Sequence, residues 1–310
     1  MRRRGSRGTP LRGGSLPPLS VADTPTFDLQ SHSLHSDGAL APRAVVAAAA
    51  GAGVELLALS DHDTVDGVPE ARDAAAALGL RLVAAVEIST IDAGRGDLHV
   101  LGYLIDDGDE ALGERLRGYR AERGRRADAI AQALRDLGFE LDEQTLEDRR
   151  AQGKTIGRPH LAEAVVAHPA NAERLAAEDR LDPSAFLVAY LIEGRPAFAP
   201  RVAPSVGEAI DAIHDAGGVA VWAHPFWDVD DPDEVLDAID RFHAQGLDGV
   251  ECFYATHDRD QAELLADRCA ELGLLSTGST DFHGPDHRRF SGFRGFSTYG
   301  REAVLGPIAG

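Results

Sequence analysis

The 310-residue sequence predicts an α/β fold whose parallel strands close into a barrel of TIM type. Two observations support this fold class. Short apolar runs alternate with helical patterns over most of the chain, as expected for repeated strand–helix units. Polar side chains follow nearly every apolar run, at the positions where such barrels carry their active residues.

The alternation begins at Phe27 and fills the first third of the chain. Its first helix carries a proline near the first turn and a glycine at its end, and the turn at 93–96 indicates a hairpin. The predicted elements are a helix at 42–53, a strand at 54–60, a helix at 67–79, and strands at 80–90 and 97–105. Residues 25–107 therefore form the first part of the predicted barrel.

The same alternation resumes after residue 200. Two of the strands in this part end in polar tips, as the earlier ones do. The predicted elements are a helix at 206–217, a strand at 218–225, a helix at 232–246, a strand at 247–253, a helix at 259–273 and a strand at 274–284. Residues 201–310 therefore complete the predicted barrel.

A different kind of sequence separates the two barrel segments. Residues 108–200 are charged, helical and almost free of strand runs, and residues 112–140 predict one long amphipathic helix. We interpret 108–200 as a helical insertion that caps the barrel. Residues 1–24 are rich in Arg, Gly, Ser and Pro and predict a disordered basic tail.

Composition restricts the partners and the location of the protein. The formal net charge is -20, so the long-range field repels long nucleic acids and anionic membranes. The sequence shows no transmembrane stretch, and the basic start lacks the apolar core of a secretory signal. Cys252 and Cys269 are the only cysteines and imply no disulfide framework. We expect a cytoplasmic protein, and its oligomeric state stays open.

Histidines and acidic residues collect at the ends of the predicted strands. Taken singly, each is typical of a turn or a helix cap. Six such groups in succession instead indicate bound divalent cations, because buried imidazoles and carboxylates need a compensating charge. The residues concerned are Gln30, His32, Asp37, Asp61, His62, Asp63, Glu87, His99, His224, Glu251, Asp281 and His283.

This set of ligands predicts a reaction class. Histidine and carboxylate ligands without thiolate suit Zn, Mn, Fe or Mg, and neighbouring ions commonly share a carboxylate, for which Glu87 is the candidate. Such clusters hold the oxygens of a phosphoryl group and generate a hydroxide nucleophile near neutral pH. We therefore expect a hydrolase.

A second motif, GKTIGRPHLAEA at residues 153–164, favours phosphate esters over amides as substrates. Arg158 and His160 flank a proline at a predicted helix start. A helix N-terminus with an arginine beside it binds anions well. Taken alone, the motif fits an exposed arginine with no binding role, beside a proline that begins a helix, equally well.

Seven short motifs occur in one order between residues 27 and 289. They are SHSLHSDG, SDHDT, VEIS, LHVLGY, GRPHLAEA, AHP and STDFHG. This series resembles the polymerase and histidinol phosphatase (PHP) family of metal-dependent phosphoesterases. Within that family it is similar to the nucleoside 3′,5′-bisphosphate phosphatases and related 5′–3′ exoribonucleases. The resemblance implies a distorted (β/α)7 barrel with up to three metal ions.

The resemblance also divides the ligands among three metal sites. The implied groups are His32, Glu87 and Asp281 for the first site, Glu87, His99 and His224 for the second, and Asp37, His62 and His283 for the third. Family members normally add a histidine at position 30 to the first site. Gln30 offers only a neutral amide oxygen, a weak ligand, so we expect two or three ions per chain.

Further residues receive roles in the same way. The resemblance assigns Arg158 to the substrate phosphate and His257 to the pocket lining, where a solvent-facing loop histidine is the alternative. His224 and His257 are the candidates for protonating the leaving group. The residues expected to support the ligands are Asp61, Asp63 and His160.

The predicted function is hydrolysis of a phosphate monoester of a small nucleotide, either a nucleoside 3′,5′-bisphosphate or a nucleoside monophosphate. A 5′–3′ exonuclease acting on short 5′-phosphorylated RNA is the first alternative, which the acidic charge disfavours. Another phosphomonoesterase specificity, a metal-dependent amidohydrolase and a non-catalytic metal-binding module are the others. The amidohydrolase would need a carboxylated lysine on a strand, whereas Lys154, the only lysine, lies in the predicted insertion. Gln30 alone favours the non-catalytic module.

Overall fold

The computed structural model of the chain describes residues 25–92, 96–151 and 156–310. Three predicted features lie wholly or partly outside the described residues. These are the basic tail at 1–24, the hairpin turn at 93–96, and Lys154 in the GKTIGRPHLAEA motif.

Seven strands form one sheet within the described residues, and their order in the sheet follows the chain. The strands are Phe27–Asp28 (β1), Leu56–Leu59 (β2), Arg81–Asp92 (β3), Gly96–Tyr103 (β4), Val219–Trp222 (β5), Gly249–Tyr254 (β6) and Leu275–Ser279 (β7). β4 pairs antiparallel with both β3 and β5, and the other neighbours are parallel. The predicted hairpin between β3 and β4 is therefore confirmed.

The sheet curls until its first and last strands meet. The backbone N–H of Leu29 donates to the carbonyl of Gly278 at 3.2 Å. The buried carboxylate of Asp28 accepts from the backbone N–H of Thr280 at 2.9 Å and of Arg294 at 2.8 Å. The predicted α/β barrel is confirmed, with seven strands in a nearly closed arrangement.

Helices surround the sheet and fill the interval between β4 and β5. The helices are Pro42–Gly51 (α1), Val68–Leu78 (α2), Glu110–Asp136 (α3), Glu143–Ala151 (α4), Arg158–Ala167 (α5), Ala172–Ala177 (α6), Pro183–Tyr190 (α7), Val206–Asp215 (α8), Pro225–Asp228 (α9), Pro232–His243 (α10) and Arg259–Leu272 (α11). Short 3-10 turns lie at Pro169–Asn171 and Gly306–Ala309. Among the described residues, no helix combines the length and the apolar character needed to cross a membrane.

The helices α3 to α7 share an apolar cluster of their own, which includes Ile130, Phe139 and Phe186. The long helix predicted at 112–140 is confirmed as α3. It ends earlier, at Asp136, because Gly138 takes a left-handed φ of 82° that closes the last turn. The boundaries at 108 and 200 stay predictions.

Candidate metal centre

The predicted ligands converge at one rim of the barrel. Most follow the carboxyl ends of parallel strands. Glu87 and Glu251 lie inside β3 and β6, and His99 lies in the first half of β4, so the expectation of a strand end is wrong for these three residues. His99 reaches the same rim because β4 runs antiparallel to its neighbours, with this residue opposite Ser89 of β3. Glu87 precedes Ser89 by two residues and points to the same side of the sheet.

His32, Glu87 and Asp281 form the first group. Nε2 of His32 lies 2.9 Å from Oδ1 of Asp281 and 3.2 Å from Oε2 of Glu87. Two atoms that bind one ion at about 2.1 Å and at right angles lie about 3 Å apart. All three residues are buried, and their separations fit ligands of a single ion.

Glu87, His99 and His224 form the second group. Oε1 of Glu87 lies 2.8 Å from Nδ1 of His99 and 3.3 Å from Nε2 of His224. The two imidazole nitrogens are 3.3 Å apart. Glu87 therefore turns one oxygen to the first group and the other to the second, as a bridging carboxylate does.

Asp37, His62 and His283 form the third group, and His32 approaches it from the first. Oδ1 of Asp37 lies 3.5 Å from Nε2 of His283 and 3.6 Å from Nδ1 of His32, and Oδ2 lies 3.6 Å from Nε2 of His62. The imidazoles of His32 and His62 stack with their centroids 4.7 Å apart. This group is looser and more exposed than the other two.

Gln30 occupies a buried position beside Glu87. Its Nε2 donates a hydrogen bond to Oε2 of Glu87 at 2.8 Å, and its Oε1 accepts one from Oγ of Ser279 at 3.2 Å. The amide thus holds the carboxylate of Glu87 in place, and its oxygen faces Ser279. In this arrangement Gln30 positions a ligand, which differs from the weak ligation expected from the sequence.

Several buried polar atoms of these groups make no hydrogen bond among the described residues. Nδ1 of His62 is one, and Nε2 of His32 and Oδ1 of Asp281 face each other at 2.9 Å without the alignment of a hydrogen bond. A buried polar atom without a partner costs roughly 1–3 kcal/mol, and a bound cation removes that cost for nitrogen and carboxylate oxygen alike. The residues therefore fit divalent metal ions.

The charges of the groups also suit cations. Burial opposes ionisation of Glu87, but His62 and His99 hold the pKa of its carboxyl well below the usual value. Burial lowers the pKa of His62 to about 4, so its imidazole is neutral at physiological pH, the form that binds metals. Burial also opposes charge on His224, yet Glu87 raises the pKa of this residue to about 9, so a metal would displace a proton there.

Strained backbone occurs at the same rim. Asp63, His224 and Asp281 have φ values of 53°, 32° and 55°, a left-handed region that residues other than glycine rarely occupy. Glu251 fixes one of these positions, because its Oε2 accepts from the backbone N–H of His224 at 2.9 Å. Such strain is typical of functional sites, where surrounding contacts hold side chains in place.

The three predicted supporting residues make distinct contacts. Asp61 accepts hydrogen bonds from Oγ of Ser33 at 2.6 Å and of Ser36 at 2.7 Å, which ties down the loop that carries His32. Asp63 accepts from the backbone N–H of Ser89 at 2.9 Å, next to His62 in the chain. The third, His160, caps α5 instead, since its Nδ1 accepts from the backbone N–H of Gly157 at 3.0 Å.

Arg158 and His257 lie outside the three groups. Arg158 begins α5, as predicted, and its Nη2 lies 3.3 Å from Oδ2 of Asp97. His257 is buried rather than solvent-facing, with Nδ1 3.0 Å from the carbonyl oxygen of Cys252. Burial lowers the pKa of His257 to about 4, and its Nε2 has no hydrogen-bond partner among the described residues.

Several residues near the rim escaped the sequence analysis. Arg123 of α3 reaches Oδ2 of Asp63 at 2.6 Å and also hydrogen-bonds Oγ of Ser89, and Tyr254 donates to Oδ2 of Asp281 at 2.8 Å. The sequence contains one pattern that could have identified Arg123. Arg120, Arg123 and Arg126 recur every third residue, which places them on one side of a helix.

Comparison with known proteins agrees with this geometry. A family model described as the PHP domain matches residues 28–150. A 5′-3′ exoribonuclease from Haemophilus influenzae is 34% identical over 264 residues, which are 84% of this chain and 91% of that protein. The chain belongs to the PHP family. A 3′,5′-nucleoside bisphosphate phosphatase from Chromobacterium violaceum is 32% identical over 263 residues, 84% of this chain and 87% of that protein.

A solved structure gives the same result for the fold. A metal-dependent phosphoesterase from Bifidobacterium adolescentis superimposes with a TM-score of 0.68 at 30% identity, covering 93% of this chain and 96% of that one. This PHP protein is therefore a metal-dependent hydrolase of phosphate esters. The predicted family, fold and reaction class are confirmed.

Proposed function

We propose that this PHP protein removes a phosphate monoester from a small nucleotide at the metal centre. One observation carries the proposal above all others. Glu87 faces two neighbouring groups of ligands at once, with His32 3.2 Å from one oxygen and His99 2.8 Å from the other. Two ions held by these neighbouring groups would suit the adjacent oxygens of a phosphoryl group.

The metal ions would number two or three per chain, and the donor set suits Mn, Zn, Fe or Mg. The residues that would hold them are His32, Asp37, His62, Glu87, His99, His224, Asp281 and His283. Gln30 would support Glu87 through its hydrogen bond. Bound there, the ions would supply the Lewis acid and the activated water for phosphate ester hydrolysis.

An aromatic surface beside the centre supports a substrate that carries a nucleobase. His283 stacks on His287, which stacks on Phe290, with centroids 5.1 and 5.2 Å apart. Trp227 continues this row 5.6 Å from Phe290 and is 45% exposed. Stacking on an aromatic ring contributes about 1–3 kcal/mol per base and accepts any base.

Proton transfer to the leaving group needs a protonated side chain near the centre. Because the pKa of buried His257 is about 4, its imidazole is neutral at pH 7 and lacks the proton that a general acid donates. Its unpaired Nε2 instead suits a hydrogen bond from a substrate hydroxyl. We therefore propose a binding role for His257.

A 5′–3′ exoribonuclease acting on short RNA is the second candidate function, and the activity named for the relative from H. influenzae favours it. Both functions need metals and a 5′-phosphorylated nucleotide. The formal charge of -20 restricts the second to short oligomers, because long polyanions are repelled.

The test is phosphate release by protein loaded with Mn²⁺. We expect adenosine 3′,5′-bisphosphate to release inorganic phosphate and chelation by EDTA to abolish the release. Mononucleotides appearing from a 5′-phosphorylated trinucleotide, without phosphate release from the bisphosphate, would establish the exoribonuclease instead. Trp227→Ala should raise KM for either substrate, and Trp222→Phe, in the apolar core, should leave KM unchanged.

A further inference from the structure

A chain of hydrogen bonds runs along the buried side of the metal centre. Nε2 of Gln30 donates to Oε2 of Glu87 at 2.8 Å. Oγ of Ser279 contacts Oε1 of Gln30 at 3.2 Å and Oε1 of Glu251 at 2.6 Å. Oε2 of Glu251 accepts from the backbone N–H of His224 at 2.9 Å. All five residues are buried, so the chain is shielded from solvent.

The two ends of this chain belong to the same group of metal ligands. Oε1 of Glu87 lies 3.3 Å from Nε2 of His224. Between these ends the chain passes through residues in or close to β1, β6 and β7. The hydrogen bonds therefore form a ring that closes at the second group of ligands, where one metal ion would bind both ends.

Glu251 points into the interior of the barrel. The next residue, Cys252, points outward, because its Sγ lies 3.6 Å from Sγ of Cys269 on α11. Successive side chains of a strand alternate between its two faces. Each carboxyl oxygen of Glu251 makes a hydrogen bond within the ring. Glu251 therefore holds other residues and is not itself free to bind a metal ion.

A buried carboxyl group at this position needs an explanation. Burial of Glu251 opposes folding, and an apolar side chain of similar size would fill the same space at lower cost. His224 has a left-handed φ of 32°, which persists only where surrounding contacts hold it. The hydrogen bond from its N–H to Glu251 is such a contact, so the carboxyl group stabilises the conformation in which His224 approaches Glu87.

We infer that Glu251 and Ser279 are positioning residues for the metal ion of the second group. Through Gln30 and His224, the ring sets the distance between the ligands before the ion binds. Buried polar networks with satisfied hydrogen bonds are rigid, and ligands that are already in place bind an ion more tightly. This inference rests on the metal centre of the proposed function and on none of its substrates.

The test measures Mn²⁺ binding by calorimetry on protein stripped of metal. Ser279→Ala removes the hydroxyl that joins the two halves of the ring, so the Kd for the ion of the second group should rise about tenfold or more. His224→Ala removes a ligand and identifies the binding step of that ion. Ser276→Ala is the matched control, because Ser276 is also buried on β7 but its Oγ accepts from the backbone N–H of Val304 at 2.9 Å.

The two serine variants separate positioning from folding. Each loses the hydrogen bond of one buried hydroxyl, so their free energies of unfolding without metal, measured with denaturant, should fall by similar amounts. The Kd for Mn²⁺ should rise only in Ser279→Ala. Equal Kd values in Ser279→Ala and Ser276→Ala would overturn the inference.

A second pair of variants separates hydrogen bonding from charge. Glu251→Gln keeps an oxygen for the N–H of His224 and an amide for Oγ of Ser279, so its Kd for Mn²⁺ should stay close to that of the wild type. Glu251→Leu is similar in size but makes no hydrogen bonds, and its Kd should rise about tenfold or more. An equal rise in both variants would assign the effect to the charge of Glu251 and would overturn the positioning role. If Glu251→Leu does not fold, the comparison of the serine variants decides alone.

The inference and the proposed function fail in different ways. Normal Kd values in Ser279→Ala and Glu251→Leu, together with phosphate release by the wild type, would overturn the inference alone. Mn²⁺ binding that Ser279→Ala weakens, without phosphate release from any nucleotide, would overturn the proposed function and support the role of the ring.

Discussion

The barrel rim and the helices above it present opposite charges to the same space. The rim carries Glu87, Asp37 and Asp281 among histidines, whereas α3, α5 and the segment before α8 present arginines. Carboxylates and imidazoles packed together suit cations, and arginines in excess suit an anion. The two sides therefore differ in the sign of the ligand that their charges favour.

One contact connects the two sides. Arg123 of α3 binds the buried carboxylate of Asp63 at 2.6 Å, and Arg120 donates to the carbonyl oxygen of Asp63 at 2.7 Å. Asp63 follows His62 directly, so α3 helps to orient a ligand of the third group. Arginines of α3 therefore contact the residue next to a predicted metal ligand.

The largest effect is expected on the barrel side. Glu87→Gln removes the carboxylate that two groups share, so kcat should fall by roughly a thousandfold or more and bound metal should be lost. Metal content per chain, measured after reconstitution with Mn²⁺, checks the cause. Full metal content with normal kcat would show that Glu87 is not a shared ligand.

Acid should destabilise the barrel side through His257. Its pKa is about 4 when folded against about 6.5 when unfolded, so the unfolded state binds more protons between these values. Stability is fully present above about pH 6.5 and falls by about 3 kcal/mol as the pH drops to about 4. Denaturant unfolding at pH 7 and pH 4.5 should show a smaller loss in His257→Gln than in the wild type. An identical loss would mean that folding does not lower the pKa of His257.

The contact between the two sides should have an intermediate effect. Arg123→Leu leaves Asp63 without its cation, and metal affinity should fall about 10–100-fold, as for other residues that orient ligands. Arg125→Leu, on the exposed side of the same helix, should change metal affinity little. Equal affinities of the two variants would show that α3 does not support the metal centre.

A smaller gain is expected from Gln30→His. An imidazole at this position adds a ligand beside His32 and Glu87, and the apparent metal Kd should fall about tenfold. Gln30→Asn, too short to reach Glu87, should weaken binding instead. Unchanged affinity in Gln30→His would place position 30 beyond reach of the metals.

The barrel rim was more predictable from the sequence than the three arginines near Asp97, which are Arg126, Arg158 and Arg201. Ligands such as His32 and Asp281 follow strands directly, so chain position and fold class place them together. Arg126 and Arg158 lie in α3 and α5, and Arg201 lies in the loop before α8. They meet through long-range contacts and not through a local sequence pattern. The sequence predicted His99 at the correct rim, but as a residue at the end of a strand. In the structure it lies inside β4 and reaches that rim because β4 runs antiparallel to β3.

Gln30 shows a second limit of the sequence. Its residue type indicates a weakened metal ligand, but whether an amide binds a metal or a carboxylate depends on its rotamer. The hydrogen bonds to Glu87 and from Ser279 fix that rotamer, and both partners lie more than fifty positions away in the chain. Only the three-dimensional arrangement shows this.

The most direct test of the account is kcat/KM for phosphate release by the Mn²⁺-loaded wild-type protein. Adenosine 3′,5′-bisphosphate and AMP would be assayed in parallel under the same ionic strength. The account predicts phosphate release from the bisphosphate that chelation of the metal by EDTA abolishes, because the proposed function is a metal-dependent phosphatase of small nucleotides. Phosphate release from neither nucleotide, or release that EDTA leaves unchanged, would contradict it.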